Sequence, residues 1–229
     1  MFPIIISFDG NIGSGKSSIV KYFEKNFENF CNVKTFNFKI CFLQEPVKIW
    51  ESIKDKNGKN AIEKFYENNE RYSFAFQMMA YISRLSLLKD ALSKDYDIII
   101  TERSIYTDKN VFAKMLYDSN KMDSIEYQIY LKWFDEFAEI IKNLKTIYIR
   151  TSPEICDLRV KKRNRLGENI PLEYLNNCHN YHDNWLNNPE KIESGKTLII
   201  DGNEETNTDK FTDNNYYDEL MDKVFNFIK

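Results

Sequence analysis

Gly10-Asn11-Ile12-Gly13-Ser14-Gly15-Lys16-Ser17, with Ser18 directly behind, fits the phosphate-binding pattern G-x-x-x-x-G-K-[ST]. Glycines let a backbone close around phosphate oxygens, and the free N–H groups of a helix start point at the anion. A lysine at this spacing reaches the β and γ phosphates, and the hydroxyl after it can ligate Mg²⁺. The chemistry indicated is binding of a nucleoside triphosphate; the pattern leaves the acceptor open. A chance glycine-rich turn is the alternative. A strand before the pattern and a helix after it weigh against that alternative.

Three further groups could serve an acceptor. Glu45-Pro46-Val47 is followed by Trp50, and the proline pushes Glu45 into extended backbone. Glu102-Arg103-Ser104 follows an apolar run, and Arg159, Lys161, Lys162, Arg163 and Arg165 form a basic run. Phosphoryl transfer is mostly positioning and charge stabilisation. An alcohol nucleophile gains from a carboxylate within hydrogen-bond reach, and an arginine beside that carboxylate favours its charged form. Gln77, Ala80 and Arg84 stand at i, i+3 and i+7, so they share one helix face. Plainer roles stay open: Glu45 as a turn cap, the basic run as a solvated helix face.

The elements that must position these groups alternate. Strands are predicted at Ile4–Phe8, Val33–Leu43, Asp97–Thr101, Thr146–Arg150 and Thr197–Asp201. Helices are predicted at Lys16–Phe27, Ala61–Ser93 with a break near Asn68-Asn69, Asp108–Tyr117, Ser124–Asn143, Pro153–Arg163, Pro171–Asn187 and Asn215–Lys229. The segment Asp55–Asn60 reads as a turn, and Asp201–Asn215 as a polar loop. Strands separated by helices imply an α/β fold, a parallel sheet covered on both faces. In such a sheet the site lies beyond the C-terminal strand ends, which directs attention to Gly10, Glu45, Glu102, Arg150 and Asp201.

The whole chain of 229 residues carries 32 basic and 35 acidic side chains, a formal charge of −3. That balance argues against a dedicated duplex-DNA binder, which would carry a basic face, so no polymeric nucleic acid is expected as partner. With 42% apolar and 15% aromatic residues the chain is not disordered. No apolar run reaches the ~20 residues of a membrane span, and the start of the chain lacks the basic region of a signal peptide. Cys31, Cys41, Cys156 and Cys178 show no C-x-x-C spacing and read as reduced thiols, so the expected location is cytoplasmic.

The motifs together resemble the deoxynucleoside kinases of the deoxycytidine/deoxyguanosine kinase and mitochondrial thymidine kinase group. The matching pieces are G-N-I-G-S-G-K-S, E-P-V-x-x-W, Phe76-Gln77, E-R-S at 102–104, T-x-P-E at 151–154, R-x-x-x-R-x-R from Arg159, and P-L-E-Y-L at 171–175. They reach from the phosphate loop to about Trp185. The resemblance implies a three-layer P-loop kinase fold with a five-stranded parallel sheet, a single domain over residues 1–229 and an arginine-bearing lid at about 159–170. It implies ATP or another triphosphate as donor, Mg²⁺, and a homodimer through paired helices. Glu45 corresponds to the carboxylate that activates the sugar 5′-OH. Arg103 corresponds to the arginine that pairs with it and with the transferring phosphate, and Glu102 to the acid near Mg²⁺. Gln77 matches the reader of the base edge, and Trp50, Phe76 and Phe112 match the pocket aromatics. Tyr66 and Glu168 match the pair that holds the sugar 3′-OH, though core packing or a surface carboxylate is open for them. Arg163 and Arg165 match the lid arginines that close on the donor phosphates.

In the resembling group an arginine at the place of Arg84, paired with an acid at the place of Asp108, marks kinases of deoxycytidine and purine deoxynucleosides. Thymidine-accepting relatives have smaller or apolar residues there. A buried Arg84–Asp108 pair would leave thymine's methyl group facing charge, which is unfavourable. Preference for deoxycytidine or purine deoxynucleosides over thymidine is therefore expected. The chain departs from the group at Gly167, at a shortened segment between Glu168 and Pro171, and in the loop after Asp201. Two other functions compete: a thymidylate-like monophosphate kinase and a non-catalytic nucleotide-binding subunit.

Overall fold

In the computed structural model, which describes residues 2–34, 37–165, 168–188, 196–203 and 214–228, apolar runs become strands, the inner ones largely buried on both faces and the two edge ones only partly. These are β1 (Ile4–Asp9), β2 (Ile40–Leu43), β3 (Ile98–Glu102), β4 (Leu144–Arg150) and β5 (Thr197–Asp201). Among the described residues they form one all-parallel sheet in the order β2-β3-β1-β4-β5. Side chains alternate across it. Ile6, Phe8, Ile98, Ile100, Ile147 and Ile149 face a core that contains residues of helices α1 (Lys16–Lys34) and the C-terminal 214–228. Ile5 and Ile99 face the other way, onto Leu88 and Ala91 of the long helix 69–92.

The remaining helices follow recognisable start and stop signals. After α2 (Val47–Ser52), Asn60 and Glu63 make a reciprocal capping box at α3 (Ala61–Glu67). Asn68 then caps α4 (Asn69–Leu92), which is why the predicted break falls there. Next come α5 (Ile105–Thr107), a π-helical segment at Asp108–Ala113, α6 (Lys114–Asp118), and α7 (Ser124–Ala138), which Asp123 and Glu126 cap. Pro153 opens α8 (Pro153–Arg163), and Asn164 in left-handed backbone (φ 47°) ends it. Helices α9 (Leu172–Leu186) and α10 (Asn214–Ile228) complete the layers.

Four expectations need correction. The predicted strand at Val33–Leu43 shrinks to Ile40–Leu43, because those residues alone find partners along β3, from Ile98 to Thr101. The helix before it runs on to Lys34 instead of ending at Phe27. The predicted helix Ser124–Asn143 stops at Ala138, and Asn143 takes left-handed backbone (φ 55°) just ahead of β4. The helix expected from Asp108 begins earlier, at Ile105, and its first turns are α then π. Most of the polar loop expected at Asp201–Asn215, and Gly167 of the lid, lie outside the described residues.

Candidate active site

β1 ends in Asp9, and the chain wraps round a cradle before entering α1. Gly10, Gly13 and Gly15 take φ values of +145°, +81° and +98°. At two of these a side chain would have no room. A Cβ on Gly10 would sit 2.5 Å from the Ile149 carbonyl oxygen, and one on Gly13 2.5 Å from that of Cys156. Asn11 is buried and fixes the turn by donating to the Leu175 carbonyl (2.9 Å). Lys16 is buried too, its Nζ donating to the Asn11 carbonyl (2.6 Å) and Ser14 Oγ (3.1 Å). Burial, then Arg103, pushes its ammonium down to about 7, against the opposing pull of Glu102 and Glu45.

The cradle floors a cleft of about 1090 Å³. Glu45, at the end of β2, carries two guanidinium groups on one oxygen. Arg103 Nη1 donates to Oε1 at 2.7 Å and Arg84 Nη2 at 3.1 Å. Oε2 has no partner among the described residues and is left to accept another hydrogen. Burial alone would raise the Glu45 carboxyl, but Arg103, Arg84 and Lys16 together hold it well below the usual carboxylate range. Arg103 itself sits in left-handed backbone (φ 64°), tied by its N–H to the Phe8 carbonyl (3.0 Å), with its guanidinium 5.2 Å from the Phe112 ring. Strained backbone in a non-glycine residue clusters at functional sites. Ser17 Oγ donates to Glu102 Oε1 at 2.5 Å, so the cradle hydroxyl and the β3 acid share one place.

A pocket opens on the α4 side. Gln77, Ala80 and Arg84 are all buried on one face of α4 and line the cleft. Gln77 Oε1 is buried without a hydrogen-bond partner among the described residues. Trp50 meets Phe76 edge-on at 5.6 Å and donates its indole N–H to Ser83 Oγ. Arg84 spends three nitrogens on three groups: Nε on Asp108 Oδ2 (3.0 Å), Nη1 on the Glu102 carbonyl (2.9 Å), Nη2 on Glu45. The π segment carries Asp108 and Phe112 into the same wall, as such segments often do at functional sites. Tyr66 also lines the cleft; burial, then Glu168, lifts its phenol well above its usual range, so the hydroxyl stays protonated.

The structure thus brings Ile12 to Ser18, Glu45, Trp50, Tyr66, Phe76, Gln77, Arg84, Glu102, Arg103, Asp108, Phe112, Arg163, Arg165 and Glu168 to one cleft. Gly10 and Asn11 shape the turn beneath it. Glu168 is paired with Arg163 Nη2 (2.5 Å) and Arg165 Nη1 (3.7 Å) rather than bonded to Tyr66. Besides Gly10, two strand ends named from sequence fall outside the lining. Arg150 is turned to Asp183 (2.7 Å), and Asp201 accepts from Asn203. Sequence reasoning passed over Asp9, a buried acid that accepts from Ser104 N–H (3.1 Å) and from the Thr107 hydroxyl, bracing the turn that carries Arg103. Its signal was a carboxylate closing an otherwise apolar buried strand. His182 belongs to none of the motifs. His182 is buried, stacked on Tyr148 (5.9 Å) and edge-on to Phe112 (6.3 Å).

A glycine cradle at the switch of a five-stranded parallel sheet, with a paired carboxylate across the cleft, defines a P-loop kinase. The sequence pattern of deoxynucleoside kinases matches residues 6–229. A probable deoxycytidine kinase of Fowlpox virus is 34% identical over 97% of this chain and 87% of its own length. Deoxycytidine kinase of Homo sapiens is 33% identical over 97% of this chain and 90% of its own. Mitochondrial thymidine kinase 2 of Homo sapiens is 32% identical over 80% of this chain and 64% of its own. The chain belongs to the deoxynucleoside kinase family. Among the described residues no helix is long and apolar enough to cross a membrane.

Proposed function

We propose that this kinase transfers the γ-phosphate of ATP to the 5′-OH of deoxycytidine or a purine deoxynucleoside, in preference to thymidine. The observation that carries the reading is Glu45: one carboxylate oxygen is held by Arg103 and Arg84, the other has no partner among the described residues, and the residue lines the same cleft as the cradle. In the reaction the 5′-oxygen attacks the γ-phosphorus, the bond to the β–γ bridging oxygen breaks, and ADP leaves. The hydroxyl proton passes to Glu45 Oε2. Arg103 keeps Glu45 ionised and stands where the transferring phosphate would gather charge. On this reading Lys16 and the cradle N–H groups hold the donor, and Arg163 and Arg165, which line the same cleft, join them from a lid at about residues 159–170 of a single domain.

The donor set at Ser17 and Glu102 fits Mg²⁺. One hydroxyl and one carboxylate are hard oxygen ligands, and this ion takes most of its remaining ligands from water and phosphate. Among the described residues no cluster of three or more acidic, His or Cys side chains offers a protein-only metal cage. When bound, the ion would neutralise charge on the β and γ oxygens.

Base choice rests on the Gln77–Arg84–Asp108 wall. The free Gln77 acceptor suits an exocyclic amino group, and Arg84–Asp108 leaves charge where a 5-methyl group would sit. A homodimer is part of the same reading: Ile82 of α4 and Ile129, Trp133 and Phe137 of α7 are large apolar side chains left exposed. The test is kcat/KM for the four deoxynucleosides and their monophosphates at fixed ATP and Mg²⁺, with the wild type and R84M/D108A. Deoxycytidine or a purine deoxynucleoside leads, monophosphates are inert, and the double variant gains relative thymidine efficiency. Thymidine as the best wild-type substrate overturns the base assignment.

A further inference from the structure

The Arg84–Glu45 contact joins two parts of the site that the sequence keeps separate. One planar guanidinium touches Asp108 in the base wall, the Glu102 carbonyl at the end of β3, and the reacting carboxylate. Its side chain is 8% exposed and its Cζ lies 5.8 Å from the centroid of the Trp50 ring, so it has little freedom to release one partner without disturbing the others. We infer that Arg84 is a positioning residue for Glu45 as well as a wall of the base pocket, so a base that displaces its guanidinium slows the transfer step and does not only weaken binding. This rests on the reading of Glu45 as the acceptor of the 5′-OH proton.

The charges around Glu45 come from four elements. Lys16 reaches it from α1, Arg84 from α4 and Arg103 from the end of β3; the acids Glu102 and Asp108 stand behind these cations. Removing Arg84 takes away one of two cations in direct contact with Oε1 and leaves Arg103 to orient the group alone. A carboxylate that loses an adjacent cation protonates at higher pH, typically by about 1 unit or more.

The experiment is the pH dependence of kcat on deoxycytidine for wild type, R84M, R84M/D108A and D108N, with E45Q alongside. The double variant avoids stranding the Asp108 carboxylate without its partner, so a folding failure of R84M does not block the test. The acidic limb of kcat moves up by about 1 pH unit or more in R84M and R84M/D108A. In D108N, which removes an acid and keeps the guanidinium, it does not move up. An unmoved limb in R84M/D108A, with the loss confined to KM, overturns the inference. If E45Q loses turnover while that limb stays put, this coupling alone is wrong. If E45Q turns over like wild type, the reading of Glu45 is wrong at its root.

Discussion

Lys16 shows how burial sets up a residue for its ligand. It is 3% exposed, and desolvation with Arg103 nearby brings its ammonium to about 7. In the unfolded chain a lysine titrates near ~10.4. Between those values the folded protein holds fewer protons at this site than the unfolded chain, so stability from this group rises with pH across the window. Below about 7 both states are protonated and its contribution no longer changes. A bound triphosphate reverses the balance by favouring the charged lysine. At pH 8, ATP binding should therefore take up about one proton per site, a linkage effect. Calorimetry in buffers of different ionisation enthalpy measures it. The uptake should vanish in K16M; a wild type that binds ATP with no proton exchange would contradict the assignment. The motif made Lys16 legible from sequence. The third partner of Arg84 was not, because it depends on how closely the end of β2 approaches α4, which no spacing along the chain encodes.

At the level of elements, local chemistry explains which boundaries could be read. α8 and β5 fall where the sequence places them, since Pro153 opens the one and an apolar run ending in Asp201-Gly202 makes the other. The start of β2 was not legible: apolar and aromatic residues from Val33 to Leu43 look alike, yet pairing with β3 admits four of them. The short α2 was missed because Pro46 signals extended backbone for Glu45 but also starts a helix well. The outer faces of α4 and α7 carry an apolar group whose role no periodicity reveals. Trp133 and Phe137 stack at 6.1 Å with 46% and 44% exposure, and Ile82 is 52% exposed. If these faces pair between two copies, sedimentation equilibrium at micromolar concentration gives twice the chain mass for wild type. Trp133→Asp should shift it towards the chain mass, with its thermal unfolding still cooperative. A wild type that sediments as a single chain contradicts the dimer.

On the scale of the whole molecule, the sheet brings three strand ends to one cleft: β1 runs into the cradle, β2 leads to Glu45 just past its end, and β3 ends at Glu102, next to Arg103. Asp9 ties the end of the first to the turn after the third by accepting from Ser104 N–H. The helix layers line the rest of the cleft, with Gln77 and Arg84 from α4, Asp108 and Phe112 from the π segment, and Arg163 and Arg165 at and just beyond the end of α8. The central claim is that the Glu45 carboxylate accepts the sugar proton, and single-turnover phosphorylation of deoxycytidine by Glu45→Gln at saturating ATP tests it most directly. Glutamine keeps the size and the contact with Arg103 but is a far weaker base. The rate of the chemical step should fall by about 10²–10⁴-fold while deoxycytidine still binds. A variant within about threefold of the wild-type rate, far short of that loss, would contradict the account.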